Sequence, residues 1–243
     1  MKVQAIVVSG LALFMNTVPV FALPAPEPTE SDDLTIDRSL LNSDITGPMI
    51  WSGSIDGGPE FSLEGTLEEV LPQILELNPQ WELPAEVASL GVVPPSPSEA
   101  RAKRNLAPTR TVSQNPSLVE RYFKNRPTCN PSTITGSLAH EWVLTAWSIP
   151  WLRSLGDKGV LCGAQAYLCV RCSCEFGTKV ELCNNTVNKI DISCRRLGDA
   201  AQIILDDCGE YIDIIGEIVV KGEWWDTTGY SAVVRRVTNS YVC

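Results

Sequence analysis

Residues 169–183 read CVRCSCEFGTKVELC, and residues 194–208 read CRRLGDAAQIILDDC. The first stretch sets thiols on strand-forming sequence, and the second is a helix pattern with a cysteine at each end. Residues 159–170 and 176–183 predict strands, the latter alternating through Val180 and Leu182. Ser193 stands where a helix N-cap belongs, and Leu197, Ala200, Ala201, Ile204 and Leu205 fall on one helical face before Gly209 stops the run. Thirteen residues separate Cys194 from Cys208. At about 1.5 Å of rise per residue they lie roughly 20 Å apart, too far to bond each other, so each can tie one helix end to a sheet.

Working outward, Ser137 to Leu155 has helical apolar spacing interrupted by Pro150, with Trp142, Trp147 and Trp151 on its buried side. Ile214 to Trp224 and Tyr230 to Val237 predict a hairpin around Asp226, Thr227, Thr228 and Gly229, with Gly229 at the position that tolerates positive φ. The expected fold is α+β: a compact disulfide-stapled sandwich with one long helix on an antiparallel sheet, preceded by a small module.

That module lies in residues 49–83. Met49 to Ile55 predicts a strand, Asp56 to Pro59 a turn and Glu60 to Gly65 a second strand. Thr66 with Glu69 three residues on forms a capping box opening a helix over Leu67–Leu77. Residues 23–48 are too polar and proline-rich to bury a core and are expected to be disordered. Residues 1–22 carry Lys2, an apolar run from Ala5 to Met15 and small residues at Val20 and Ala22, the pattern of a secretory signal cleaved after Ala22. No segment is long and uncharged enough to span a bilayer.

Charge divides the chain. Residues 23–104 hold fifteen acidic groups against four basic, whereas residues 105–243 hold fourteen of each, so the net −10 belongs to the first part. A balanced cysteine-rich part lacks the basic excess that gripping phosphates requires, which disfavours nucleic acid as a partner. The proline-rich run Val92 to Ser98 leads into Arg101, Lys103 and Arg104. A dibasic pair on extended chain suits a kexin-type processing protease, whose acidic cleft must bind both cations. Similar pairs occur at Arg195–Arg196 and Arg235–Arg236, but only Lys103–Arg104 sits between a linker and the cysteine-rich part. The expected organisation is a signal peptide at 1–22, an acidic pro-region at 23–104 that shields the cysteine-rich part until the linker is cut, and a mature domain at 105–243.

All nine cysteines (Cys129, Cys162, Cys169, Cys172, Cys174, Cys183, Cys194, Cys208 and Cys243) fall in that domain. In an oxidising compartment thiols at this density pair, and an odd number leaves one over. Thiolate ligation of a soft metal by Cys169, Cys172 and Cys174 is the weaker alternative, so neither metal nor cofactor is expected.

Candidate chemistry is thin. The single histidine, His140, precedes Glu141, but Leu144 stands where a zinc protease needs its second histidine. Neither a Gly-x-Ser-x-Gly elbow nor a phosphate-cradling glycine loop occurs. Paired carboxylates could come from Asp206, Asp207, Glu210 and Asp213, or from Glu223 with Asp226; a solvated acidic face is the simpler account of the first set. Trp224 and Trp225 must point to opposite faces of a strand, so one is core and the other, beside Asp226, can contact a sugar or a partner. Asn184 opens the only N-glycosylation sequon with a permitted middle residue, through Thr186.

The spacing Cys169-x4-Cys174-x8-Cys183-Asn184, the helix bracketed by Cys194 and Cys208, the run from Gly222 through Asp226 and Tyr230 to Val234, and the closing Cys243 resemble a group of uncharacterised fungal secreted cysteine-rich proteins. The segments at Trp51 to Asp56 and Leu63 to Val70 also resemble the pro-region of that group, while Cys162 and Cys172 fall outside its pattern. The resemblance implies a secreted effector-like or killer-toxin-like protein that binds a host or competitor target, protein or glycan. On this reading the protein is not an enzyme; the alternative is a cell-wall carbohydrate-active hydrolase or sugar-binding protein.

Overall fold

The computed structural model describes residues 46–91 and 126–237. Ala22, Lys103, Arg104 and Cys243 lie outside the described residues.

The first segment is β1 (Thr46–Gly53), β2 (Phe61–Gly65), α1 (Leu67–Leu77) and α2 (Ala85–Ala88). β1 and β2 form the expected antiparallel pair, from Met49 opposite Gly65 to Gly53 opposite Phe61. The capping box forms as the sequence requires: the Glu69 carboxylate accepts the Thr66 N–H at 2.7 Å, and the Thr66 side chain accepts the Glu69 N–H. Thr46 to Pro48, expected to be disordered, belong to β1 because their backbone pairs in parallel with a strand of the cysteine-rich part.

The second segment contains β3 (Thr128–Cys129), β4 (Ala139–His140), α3 (Glu141–Val143), a π turn (Leu144–Ser148) and α4 (Ile149–Asp157). Strands β5 (Leu161–Ala164), β6 (Cys169–Glu175), β7 (Thr178–Asn184) and β8 (Ile190–Ser193) follow, then α5 (Cys194–Cys208). β9 (Glu210–Ile212), β10 (Glu217–Val220), β11 (Gly222–Trp225) and β12 (Tyr230–Arg236) complete it. The helix expected from Ser137 therefore starts at Glu141, since Ala139 and His140 pair with β10. Pro150 does not break it. Proline lacks an N–H and crowds the carbonyl four residues back, and the π turn widens the coil there, with the Ile149 N–H reaching Leu144 O. The strand expected at 159–170 is two strands, β5 and the start of β6.

The large sheet runs β3-β11-β12-β7-β6-β1-β5-β8, with β2 also on β1. A smaller sheet runs β4-β10-β9. β1 is thus an interior strand: parallel to β6 over Thr46 to Pro48 and antiparallel to β5 over Ile50 to Ser52. The ββα module precedes the cysteine-rich part in sequence but lies within its sheet. Met49, Trp51, Leu67, Val70, Leu71 and Ile74 are fully buried in the same core as Trp147, Trp151, Leu197 and Val234.

On one face, α5 buries Leu197, Ala200, Ala201, Ile204 and Leu205 against the sheet, and α4 packs on α5. Gly156 permits that approach, because a Cβ there would stand 1.9 Å from the Arg195 nitrogen. Gly209 ends α5 in extended backbone rather than the left-handed form, and its missing side chain makes room for the Leu205 carbonyl, 2.5 Å from where a Cβ would sit. On the other face, residues 126–137 cover β7 and β12, where Ile134, Val233 and the Cys169–Cys183 disulfide form a second cluster. Burial on both faces explains why every residue of β7 is inaccessible. Below this cover Arg235 meets Glu181 through two hydrogen bonds, Nε to Oε2 at 2.6 Å and Nη2 to Oε1 at 2.9 Å. Such a buried charge must be paired, since breaking a pair of this kind costs about 3–5 kcal/mol.

Three disulfides are seen: Cys129–Cys208, Cys162–Cys194 and Cys169–Cys183. The first two tie the ends of α5 to β3 and β5, as its length demands. Cys174 is also disulfide-bonded, and among the described residues the free cysteine is Cys172, buried in the core. Burial pushes the Cys172 thiol well above its ordinary range, and the Glu68 charge adds to this. Alkylation of the native, unreduced protein should leave Cys172 unlabelled, and denaturant without reductant should expose it; native labelling at Cys172 in a peptide map would contradict this placement.

Candidate functional site

Two surface features stand out. The first is a groove of about 660 Å³ between the module and the β6–β7 hairpin. Pro48, Glu68 and Glu69 form one wall, and Arg171, Glu175 and Phe176 the other. Phe176 and Gly177 make the two-residue hairpin turn with φ of 50° and 77°. Positive φ at both positions matches the twist of the strands, and it is costly for a phenylalanine. The Phe176 ring is held over Trp142 at 5.0 Å between centroids.

Glu68 and Glu175 are built differently. The first turn of α1 carries Glu68 to where its carboxylate accepts the Trp147 indole N–H and the Cys174 backbone N–H, each at 3.3 Å. Desolvation pushes the Glu175 carboxyl above the ordinary glutamate range, and the Glu68 charge pushes it further, while the Phe176 N–H opposes them. A carboxylate fixed by two donors beside a carboxyl that binds its proton more tightly than an ordinary glutamate is a polar arrangement suited to hydroxyl-rich or cationic ligands. Sequence reasoning missed this groove because about a hundred residues separate its walls, and only the Phe176–Gly177 turn leaves a local signal.

The second feature is the tip of the β9–β10 hairpin. Ile214 is 96% exposed, Tyr211 60% and Ile215 50%. Ile214 and Ile215, expected to begin a strand, form the turn before Gly216, whose φ is 62°.

Several expected sites are relocated. Trp224 is core, edge-on to Tyr230 at 6.3 Å between centroids, and Trp225 is half-buried on the opposite face. Asp226 cannot serve a ligand: its side chain is fully buried, bonded to Arg196 and accepting the Thr228 N–H at 2.8 Å and hydroxyl at 2.5 Å. Those bonds, with the Asp226 N–H on Tyr230 O at 2.9 Å, shape the turn in which Gly229 takes a φ of 92°. Glu223 faces the side away from Asp226, in a shallow depression with Trp225 and Arg235, so the two carboxylates do not converge. Asp206, Asp207, Glu210 and Asp213 are all exposed and line neither depression. His140 Nδ1 lies 3.0 Å from Glu217 Oε2, and its ring lies 6.0 Å from that of Trp142. Among the described residues no group of three or more histidine, cysteine or acidic side chains could hold a metal, and no helix is long and apolar enough to cross a membrane.

Asn184 is the clearest correction. Its side-chain nitrogen donates to the carbonyls of Ala164 (3.2 Å), Gln165 (3.0 Å) and Asn188 (2.7 Å), while its oxygen accepts the Thr186 N–H at 2.9 Å and hydroxyl at 2.8 Å. The residue is wholly buried, so the Asn-x-Thr pattern is a structural knot with no room for a glycan. No family model, curated protein or solved structure matches the chain.

The folded protein should show no mass change with N-glycosidase, and Asn184→Ala should cost about 2–4 kcal/mol in denaturant unfolding because it strands buried carbonyls. The Glu175 group sits higher in the folded than in the unfolded chain, so its contribution favours folding at low pH and is lost as pH rises through the folded value. Glu175→Gln should therefore raise the melting temperature at pH 7 and equal the parent near pH 3, as followed by differential scanning fluorimetry.

Proposed function

We propose that the protein is a secreted, cysteine-rich, effector-like or toxin-like molecule, exported by cleavage after Ala22, released by dibasic processing after Arg104, and acting non-enzymatically by binding a host or competitor target. The observation that carries this reading is the apolar β9–β10 tip, because an isoleucine almost wholly in water beside an exposed tyrosine gains from docking and costs solubility otherwise. The Cys129–Cys208 disulfide just before β9 supports the same reading, since a preorganised contact loses less entropy on binding. Aliphatic side chains at the tip favour a protein surface as target over a glycan, which stacks on aromatic rings.

A second reading is favoured by the groove. Glu68 and Glu175 place two carboxyl groups along one cleft, the second shifted upward by desolvation and by the Glu68 charge, and a pair of carboxyl groups is the minimum set for glycoside cleavage.

Purified protein should damage leaf tissue or inhibit yeast growth, and the double variant I214S/I215S should be at least tenfold less potent with an unchanged melting temperature, because one buried anchor is worth about 2 kcal/mol. Equal potency would remove the tip from the mechanism. Release of reducing sugar from wall polysaccharides that disappears in Glu68→Gln and Glu175→Gln would replace binding with hydrolysis.

A further inference from the structure

We propose that residues 46–91 are a non-covalent subunit of the processed protein, a strand-and-helix element that completes the sheet of the cysteine-rich part and stays bound to it when the chain between them is cut. The physiological meaning rests on the processing proposed at Lys103–Arg104, but the association does not.

Backbone pairing is the main argument. Strand β1 pairs with the cysteine-rich part twice along its length: Thr46, Gly47 and Pro48 lie opposite Cys169, Val170 and Arg171 of β6, and Ile50, Trp51 and Ser52, with β2 on their other side, lie opposite Gly163, Cys162 and Leu161 of β5. Taking β1 away leaves N–H and C=O groups on β5 and on β6 unpaired, and no other described strand links the two in the sheet. An exposed pair of edges of this kind is a template for indiscriminate pairing, which native proteins avoid by keeping the edge filled.

Side chains add specificity. Trp81 meets Trp151 edge-on at 6.2 Å between centroids, Lys158 reaches both carboxylate oxygens of Asp56 at 2.8 Å, and the Glu68 carboxylate takes N–H groups from Trp147 and Cys174. Trp147, Trp151 and Cys174 all lie beyond the linker. Removing the module would bare these tryptophans to water, a large unfavourable transfer of apolar surface. The groove leads to the same conclusion, since one wall comes from each side of the cut and the site exists only while both pieces are together.

The union is also one that no covalent bond secures. The first cysteine of the chain is Cys129, so no disulfide can join 46–91 to the remainder. A cut chain would run as one particle in native buffer and as two pieces in denaturant, even without reductant. The mature molecule would then be a two-chain protein held by a β-strand donated from its own acidic half, and the acidic half would be a permanent component instead of a discarded shield.

The test uses the full-length secreted protein with residues 101–104 replaced by the recognition sequence of a specific protease. After cutting, size exclusion and native mass spectrometry should give a single species with the summed mass of both pieces, while a non-reducing denaturing gel shows two bands. Separation of the pieces under native conditions, whether the larger one stays soluble or precipitates, would overturn the proposal. In the cut protein Trp81→Ala should raise the dissociation constant at least tenfold, with the uncut variant as a folding control; equal association would show that the aromatic contact does not hold the subunit. Independently, K103A/R104A secreted from a host with a kexin-type protease reports on processing: an unchanged mature mass there ends the processing reading and leaves the association result standing.

Discussion

The structure depends on one backbone constraint: β1 has to satisfy hydrogen-bonding partners on both sides while changing neighbours halfway along. Its first residues complete the β6 edge and its later ones are clasped between β5 and β2. A buried amide or carbonyl left without a partner costs about 1–3 kcal/mol, so an unfilled slot spanning several residues would weigh heavily against a typical stability of roughly 5–15 kcal/mol. The acidic half is therefore committed to the fold through its least sequence-specific feature, the main chain. The core residues Met49 and Trp51 then fix the register, because a shift by one residue would turn them to the wrong face.

Covalent and non-covalent restraints divide the molecule between them. The disulfides hold α5 by its two ends and join the β6–β7 ladder across directly opposed positions, Cys169 and Cys183. Electrostatics finishes the sheet: Arg235 with Glu181 on one face, both buried, and on the other Arg196, partly exposed, with the buried Asp226 of the turn after β11. This also bears on the dibasic pairs. Arg235 is 2% exposed inside a strand and Arg195–Arg196 lie on a helix, so neither pair offers the extended, accessible chain that a processing protease needs.

Local chemistry was legible in the sequence and long-range pairing was not. The Thr66–Glu69 box, the α5 face from Leu197 to Leu205, the Asp226 to Gly229 turn and the stapling of both helix ends follow from contacts within a few residues or from a length argument. The insertion of β1 depends on a partner strand more than a hundred residues away, which no periodicity in residues 46–53 announces. Parity required one unpaired thiol, but Cys172 is picked out only by the folded placement of the other cysteines, since Cys162 and Cys194 are as deeply buried and are bonded to each other. The alternation of Trp224 and Trp225 was readable, yet which of them turned inward was set by the helix lying on one face. Asn184 shows how a motif can mislead: the spacing that a glycosylation enzyme recognises is also the spacing by which an asparagine carbonyl can accept both the N–H and the hydroxyl of the residue two positions on.

The Asn184 knot has a kinetic side. Its partners Ala164, Gln165, Asn188 and Thr186 all lie within about twenty residues of it, so it can close before most of the later chain has been made. In any compartment that attaches oligosaccharides to nascent chains, molecules modified at this position could not complete the end of β7. The fraction of chains that becomes native would then be decided by a race between local closure and sugar transfer, and a producing organism lacking that transfer machinery would give the more homogeneous product.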